Sequence, residues 1–324
     1  MGVPFMDLKT KIIHLQNIDF KDKTFLLSYG YDLKSLKQSI KQVGLLNPPV
    51  VRKKADASYQ IICGFKRIRT LKELGFSSIT CSTVPPKTGD RENLLLSLYD
   101  NISHRELNSI EKSMAINKLQ NHYPEERIVH DFLPVLKLQP HISQLKSFKP
   151  LCRLEREIKD ALLKGKISEQ TALQLSKMDR AVRRVLGKLL VTLRLSVSKQ
   201  AEIIECSSEI AIRENLFLEK VITTPKMRSI LDDEKMNQPQ KAEAVRDYLR
   251  ERRYPQLTEK EKEFTRNLKQ LKLHPHIHLK PSSFFEGNHY NLSLRFNSLE
   301  DLKKRLQECE SLLNNHSLLD IIEG

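Results

Sequence analysis

A chain of 324 residues is long enough for two or three domains, each with its own core. Its hydrophobic share of 39% is that of a globular protein, and no run of 18 or more apolar residues occurs, which excludes a membrane-spanning helix. The net charge of +15 is unevenly spread: residues 137–199 carry 15 Lys and Arg against 5 Asp and Glu. Such a field suits a polyanion, either nucleic acid or the phosphates of a nucleotide. A solvated basic surface that keeps the protein soluble is an equal alternative on composition alone.

The start, "MGVPFMDLKTKIIHL", lacks the basic, apolar and small-residue blocks of a signal peptide. Gly2 is not in a myristoylation context, because Asp7 stands where Ser or Thr is wanted nearby. Five scattered cysteines (Cys63, Cys81, Cys152, Cys206 and Cys309) form no CxxC pair, which fits a reduced, cytoplasmic setting where most act as small core hydrophobes. The absence of Trp argues against a platform for stacking single-stranded bases.

In chain order, "KIIHLQNID" predicts an opening strand. "DLKSLKQSIKQVG" predicts a helix with Leu33, Leu36, Ile40 and Val43 on one face and a stop at Gly44. "LLNPPVVRKK" predicts a turn and a strand. In "YQIICGFKRIRTLKELGF" the period changes from that of a strand to that of a helix at Gly64. "SSITCSTV" predicts a further strand, so residues 1–90 read as a small mixed α/β domain. Residues 91–254 read as all-helical. Asn108 or Ser109 caps one helix, Ser168 caps another and Gly165 stops a third. Within them "EERIVHDFLPVL", "KLQPH" and "ISQLKSFKPLCRL" have the outline of a helix-turn-helix, although Pro134 and Pro150 fall inside the helical patterns and the turn has no Gly. The second of these helices is expected to run on through "EREIKDALLKG" to Gly165. Residues 255–324 read as a helix, a β-hairpin ("HIHLKP" and "YNLSLRF") and an amphipathic helix capped by Ser298 with Asp301 at its third position. The fold class expected is α+β.

A glycine at the end of a strand lets backbone N–H groups approach a ligand, and the next helix N-terminus is partly positive. Lys66, Arg67 and Arg69 on that first turn oppose the helix dipole unless an anion offsets them, so the stretch is a candidate phosphate seat.

These residues resemble those of the ParB-type DNA-partition proteins in the ParB/sulfiredoxin superfamily. "GFKR" is similar to that family's Gly-Glu-Arg-Arg box, and "DNISHRELNSIE" to its Glu-Asn-Ile-Gln-Arg box with the Leu-Asn-Pro-Ile-Glu that follows. "ALLKGKISEQTALQLSKM" is similar to the segment after its helix-turn-helix, and "YNLSLRFNSLEDLKKRLQECESLL" to the end its members use to dimerise. The resemblance implies a ParB-like N-terminal α/β domain and a clamp-like homodimer. It further implies binding of a specific double-stranded DNA site and, in many relatives, of CTP with Mg²⁺. A role in chromosome or plasmid partition or related transcriptional regulation would follow. So would a cytoplasmic, nucleoid- or plasmid-associated location and a partition ATPase as partner. The carry-over gives Gly64, Lys66, Arg67, Arg69, Asn101, His104 and Arg105 to the nucleotide and Asp100 with Asn101 to the metal.

The boxes depart from the family pattern. Lys66 replaces Arg, Phe65 replaces Glu, Asp100 replaces Glu, Ser103 replaces Gln and His104 replaces Arg, with Arg105 one position late. Nucleotide binding is therefore expected to be lost more readily than DNA binding. A sulfiredoxin would need Cys where Phe65 stands, which excludes that activity. His141, Ser143, Gln144, Lys146 and Lys149 are the candidates for base contacts, with Arg180, Arg183 and Arg184 on phosphates. A nucleotide hydrolase or nuclease-like enzyme with weak CTP turnover is one alternative, and a regulatory or toxin-associated binding protein is another. "HPHIH" reads as surface imidazoles and "RERR" (250–253) as a solvated helix end.

Overall fold

The computed structural model describes residues 8–287 and 289–323, so the chain start that bears on Gly2 and a signal peptide lies outside them. It divides into two compact units, residues 1–200 and 201–324.

The first unit opens with a five-stranded mixed sheet of order β1-β5-β3-β4-β2. Strand β1 (Lys9–His14) is one edge and runs antiparallel to β5 (Ser78–Val84). Strand β3 (Val50–Lys53) runs parallel to β5 and antiparallel to β4 (Tyr59–Cys63). The single opening strand expected over 11–19 is two. A 3₁₀ turn at Leu15–Asn17 redirects the chain, so that β2 (Ile18–Asp19) pairs with β4 at the opposite edge. Helices α1 (Lys34–Val43) and α2 (Phe65–Glu73) pack together, and Ile40, Ile68 and Leu71 join Val51, Ile61, Ile79 and Cys81 in one core. Gly44 and Gly75 follow these helices with φ of 76° and 83°, the left-handed geometry expected of helix stops.

Helix α3 (Asp90–His104) packs on β4, and α4 (Ser109–Leu119) follows with a complete capping box between Asn108 and Glu111. The next segment departs from the expected pair of helices. A single α turn, α5 (Glu125–Arg127), passes into a π turn over Ile128–Phe132, where the Leu133 amide donates to Ile128 O at 2.9 Å. Pro134 has no N–H to extend the ladder, and Lys137, at φ 56°, takes the left-handed position that a Gly would otherwise fill. Helix α6 (Ile142–Phe148) then gives way to a 3₁₀ turn at Lys149–Arg153, with Pro150 in its first turn, where the missing donor costs nothing. Leu154 and Glu155 are extended (ψ 153° and 151°), so the long helix expected to reach Gly165 is broken before α7 (Arg156–Leu163). Helices α8 (Glu169–Ser176) and α9 (Arg180–Leu193) follow, with Ser168 accepting from the Thr171 amide as its cap.

Helix α10 (Val197–Arg213) carries the chain into the second unit. There α11 (Leu218–Ile222), α12 (Pro225–Asp232), α13 (Gln238–Arg253) and α14 (Pro255–Gln270) precede a hairpin of β6 (Ile277–Pro281) and β7 (Tyr290–Leu294). Helix α15 (Leu299–Ser311) is capped by Ser298 as expected, and α16 (His316–Glu323) is an element the sequence pattern did not suggest. The "RERR" segment is a solvated end only in its first half, Arg250 and Glu251, each 51% exposed. The Arg252 and Arg253 side chains are 18% and 17% exposed, the first paired with Glu214 and the second with Glu205 and Glu209 of α10. Arg213 returns to donate to the carbonyls of Arg252 and Arg253, which closes the C-terminus of α13. All five cysteines are free, with Cys63, Cys81 and Cys206 buried. No helix among the described residues is long and apolar enough to cross a membrane.

Ile68 has no exposed surface in the sheet–helix core, whereas Ile12 on the edge strand is 76% exposed. Ile68→Ala should cost about 2–5 kcal/mol in a urea titration, and Ile12→Ala should stay within about 0.5 kcal/mol.

Candidate functional site

Gly64 caps α2 in the left-handed region, at φ 84°. A Cβ there would lie 2.9 Å from Arg67 Nε, so the glycine serves both the backbone conformation and the close approach of the guanidinium. Arg67 donates through Nη1 to Asn47 O at 2.8 Å and through Nη2 to Asp100 Oδ2 at 3.3 Å. The two boxes, separated by more than thirty residues, thus meet in a direct ion pair between β4–α2 and the C-terminal end of α3.

At the C-cap of α3, Arg105 makes five oxygen contacts, one of them to Glu106 O at 3.4 Å. Its guanidinium donates to both carboxylate oxygens of Glu111, to Ser28 Oγ at 3.2 Å and to Asn101 Oδ1 at 3.1 Å. Glu111 is 1% exposed and also accepts from the Tyr29 and Asn108 amides at 2.9 and 3.1 Å. Asn101 Nδ2 donates to Ser97 O, which leaves its carboxamide fixed. His104 Nδ1 lies 2.7 Å from Asp100 O and 3.0 Å from Ser103 Oγ, which places the proton on Nδ1. Lys66 has no carboxylate partner among the described residues. Its ammonium lies 4.6 Å from the Tyr31 ring centroid, and burial, then Arg105, pull its pKa below the usual lysine range.

Gly64, Lys66, Arg67, Asp100, Asn101, His104 and Arg105 line one cleft of about 250 Å³ together with Ser28, Leu36, Asn47 and Phe65. Arg69 does not. Two residues on from Arg67 it points away around the helix, pairs with Glu73 at 3.1 Å and lines a separate groove with Phe20, Tyr31 and Lys72. Cys63, before the glycine, is buried, and burial with the nearby Asp100 charge raises its pKa, so the thiol stays protonated and inert.

The structure also locates the DNA-contact candidates. His141 is the N-cap of α6; His141, Ser143 and Lys146 are exposed, Gln144 and Lys149 half-buried, and Leu145 and Phe148 face the core. Arg180 and Arg184 are exposed on α9. Arg183 is turned inward at 14% exposure in a bidentate pair with Glu155 at 2.7 and 3.0 Å, which holds that carboxyl below its usual range. His274 and His276 stack at 5.3 Å while His278 projects from β6, and no group of three or more His, Cys, Asp or Glu among the described residues could hold a metal.

Sequence reading passed over Ser28, Tyr31 and Glu111. Only Glu111 left a signal, at the third helical position after the Asn108 cap in "NSIE". Glu111→Gln should cost about 1.5–3 kcal/mol in chemical denaturation, because Arg105 loses its charged acceptor. Tyr29 donates its hydroxyl to Asp160 at 2.9 Å, and burial, followed by that bond, raises its pKa from 10.0 to about 12. The unfolded chain then loses this proton at lower pH than the folded one, so stability should fall as pH rises from 10 toward about 12. Tyr29→Phe should flatten that part of the alkaline unfolding profile.

Residues 11–102 match the family model of the ParB N-terminal domain. Over 91 residues the chain is 33% identical to a probable chromosome-partitioning protein ParB of Vibrio cholerae serotype O1, covering 28% of this chain and 30% of that protein. Over 142 residues it is 29% identical to a nucleoid occlusion protein of Lysinibacillus sphaericus, covering 43% of this chain and 45% of that one. The matches thus span less than half the length of these relatives. Among solved structures, the chain is similar to a C-terminally truncated chromosome-partitioning protein ParB from Caulobacter crescentus complexed with CTP-gamma-S. The identity is 20% over 56% of this chain and 99% of that one, with a TM-score of 0.26. For the same protein complexed to the centromeric parS site the identity is 17% over 59% and 96%, with a TM-score of 0.34.

Proposed function

Residues 11–102 are a ParB-type N-terminal domain, and from that premise we propose that the protein is a ParB-like, sequence-specific double-stranded DNA-binding protein of a partition system whose N-terminal cleft takes CTP with Mg²⁺. The observation that carries this reading is the meeting of the Gly64–Arg67 and Asp100–Asn101 boxes in one cleft, through the Arg67–Asp100 pair. The donor chemistry fits. Lys66 and Arg67 offer cations to phosphate oxygens at a helix N-terminus, and Asp100 and Asn101 offer the hard oxygens that Mg²⁺ takes. Arg105 is committed to Glu111 and adds less. The bound ion would screen phosphate charge; Gly64 and the α2 N-terminus would orient the chain of phosphates.

Exposed His141, Ser143 and Lys146 on the solvent side of α6 support duplex contact, with Arg180 and Arg184 on phosphates. In the proposed division of labour, residues 1–90 together with Asp100–Arg105 hold nucleotide, the rest of 91–254 grips duplex and 255–324 join two copies. Leu299, Leu306 and Leu313, at 69%, 51% and 66% exposure, support the last assignment. The partner in the cell would be a partition ATPase at the nucleoid or a plasmid.

The test is a titration of duplex pools with and without CTP and Mg²⁺. One sequence should be enriched, and affinity should fall roughly 10³–10⁵-fold between about 50 and 200 mM salt if six to ten phosphates are contacted. Arg67→Ala should weaken CTP by about 10–100-fold while leaving nucleotide-free duplex binding intact, and Lys146→Ala with Arg180→Ala should do the reverse. Salt-independent binding with no enriched sequence would refute the DNA assignment, and CTP affinity unchanged in Arg67→Ala would refute the cleft.

A further inference from the structure

The second unit holds a cavity of about 240 Å³ between α14, the β6–β7 loop and α16. It is lined by Phe264, Phe285 and Tyr290. Phe264 meets Phe285 edge-on at 5.8 Å between centroids and lies at 12° to the Tyr290 ring at 6.3 Å. The lining residues are tied to one another by hydrogen bonds. The Tyr290 hydroxyl donates to Ile321 O, and Ser282 Oγ both donates to Gly287 O at 2.8 Å and accepts from its amide at 3.0 Å. The loop carrying Phe285 is strained: Phe284 and Phe285 both have φ of 56°, a left-handed conformation that bulky side chains rarely adopt.

Asn267 lines the same cavity and is 5% exposed. The rim carries Glu263 and Asp320 against Lys260. Glu263 is shared with Arg266 at 3.5 Å, while Asp320 has no ion-pair partner among the described residues.

We propose that this cavity binds a planar organic cation of the guanidinium type, an arginine side chain or a free arginine-like molecule. Aromatic faces attract a cation through their quadrupole, and a flat guanidinium can stack on a ring while donating in its plane. Asn267 Oδ1 and the Asp320 carboxylate supply acceptors for those donors. The net negative rim, two carboxylates against one ammonium, opposes a phosphate. The inference is independent of the nucleotide cleft, which lies in the other unit.

The full-length protein should be titrated with L-argininamide and with a short arginine-containing peptide, using tetramethylammonium chloride and cytidine as comparators, by calorimetry. Saturable argininamide binding is expected, weakened about tenfold by Phe264→Leu and by Asp320→Asn. Asp320 is exposed, so Asp320→Asn keeps the fold, which circular dichroism verifies. A peptide that binds tighter than argininamide assigns the cation to a partner protein; the reverse assigns it to a free small molecule. No saturable argininamide binding, equal binding of tetramethylammonium or cytidine, or an affinity unchanged by Asp320→Asn would overturn the proposal.

Discussion

A single buried carboxylate organises the N-terminal unit. Glu111 accepts from the Tyr29 amide, from the Asn108 amide and from both terminal nitrogens of Arg105. It therefore ends α3, begins α4 and pins the loop before α1 at one point. A carboxylate this deeply buried is tolerated only because each of its lone pairs is matched by a donor and its charge by a guanidinium. Arg105 in turn orients Asn101, and through α3 the position of Asp100 opposite Arg67 is set. The chemistry of the cleft is thus one step removed from its support: the residues facing the ligand space are positioned by a group that never reaches it.

The same geometry accommodates the departures of the two boxes from the pattern they resemble. Asp100 is one methylene shorter than the family's Glu, yet it still reaches Arg67 at 3.3 Å because Gly64 lets the guanidinium lie close over the turn. Phe65, in place of an acid, joins the sheet–helix core and lines the cleft on one side and the groove of Phe20 and Tyr31 on the other. Where the pattern it resembles has an acid, Phe65 is an apolar packing residue and brings no negative charge to Lys66.

What the sequence made legible follows period and punctuation. Gly44, Gly75 and Gly165 ended their helices, Asn108, Ser168 and Ser298 began theirs, and the alternation in "SYQIIC" and "SSITCSTV" marked true strands. Local patterns failed where tertiary contacts decided. The 3₁₀ turn between β1 and β2 exists because two short strands serve opposite edges of one sheet, and no window of ten residues contains that information. The π turn before Pro134 and the extended Leu154–Glu155 pair likewise answer to packing, since the Glu155 carboxylate at that break is the one Arg183 binds. Cations counted as one basic surface proved to have different uses. Arg252 and Arg253 hold α13 to α10 and Arg183 is half-buried in an ion pair, while Arg180 and Arg184 remain in solvent. Composition counts charges but cannot tell which are already spoken for.

Strand β1 forms an outer border of the five-stranded sheet, and along it Lys9 and Lys11 alternate onto the same side as the buried Ile13. A foreign strand docking there would have to smother two ammonium groups against an apolar layer. The border is thus guarded by charge against edge-to-edge fusion of the sheets of two copies.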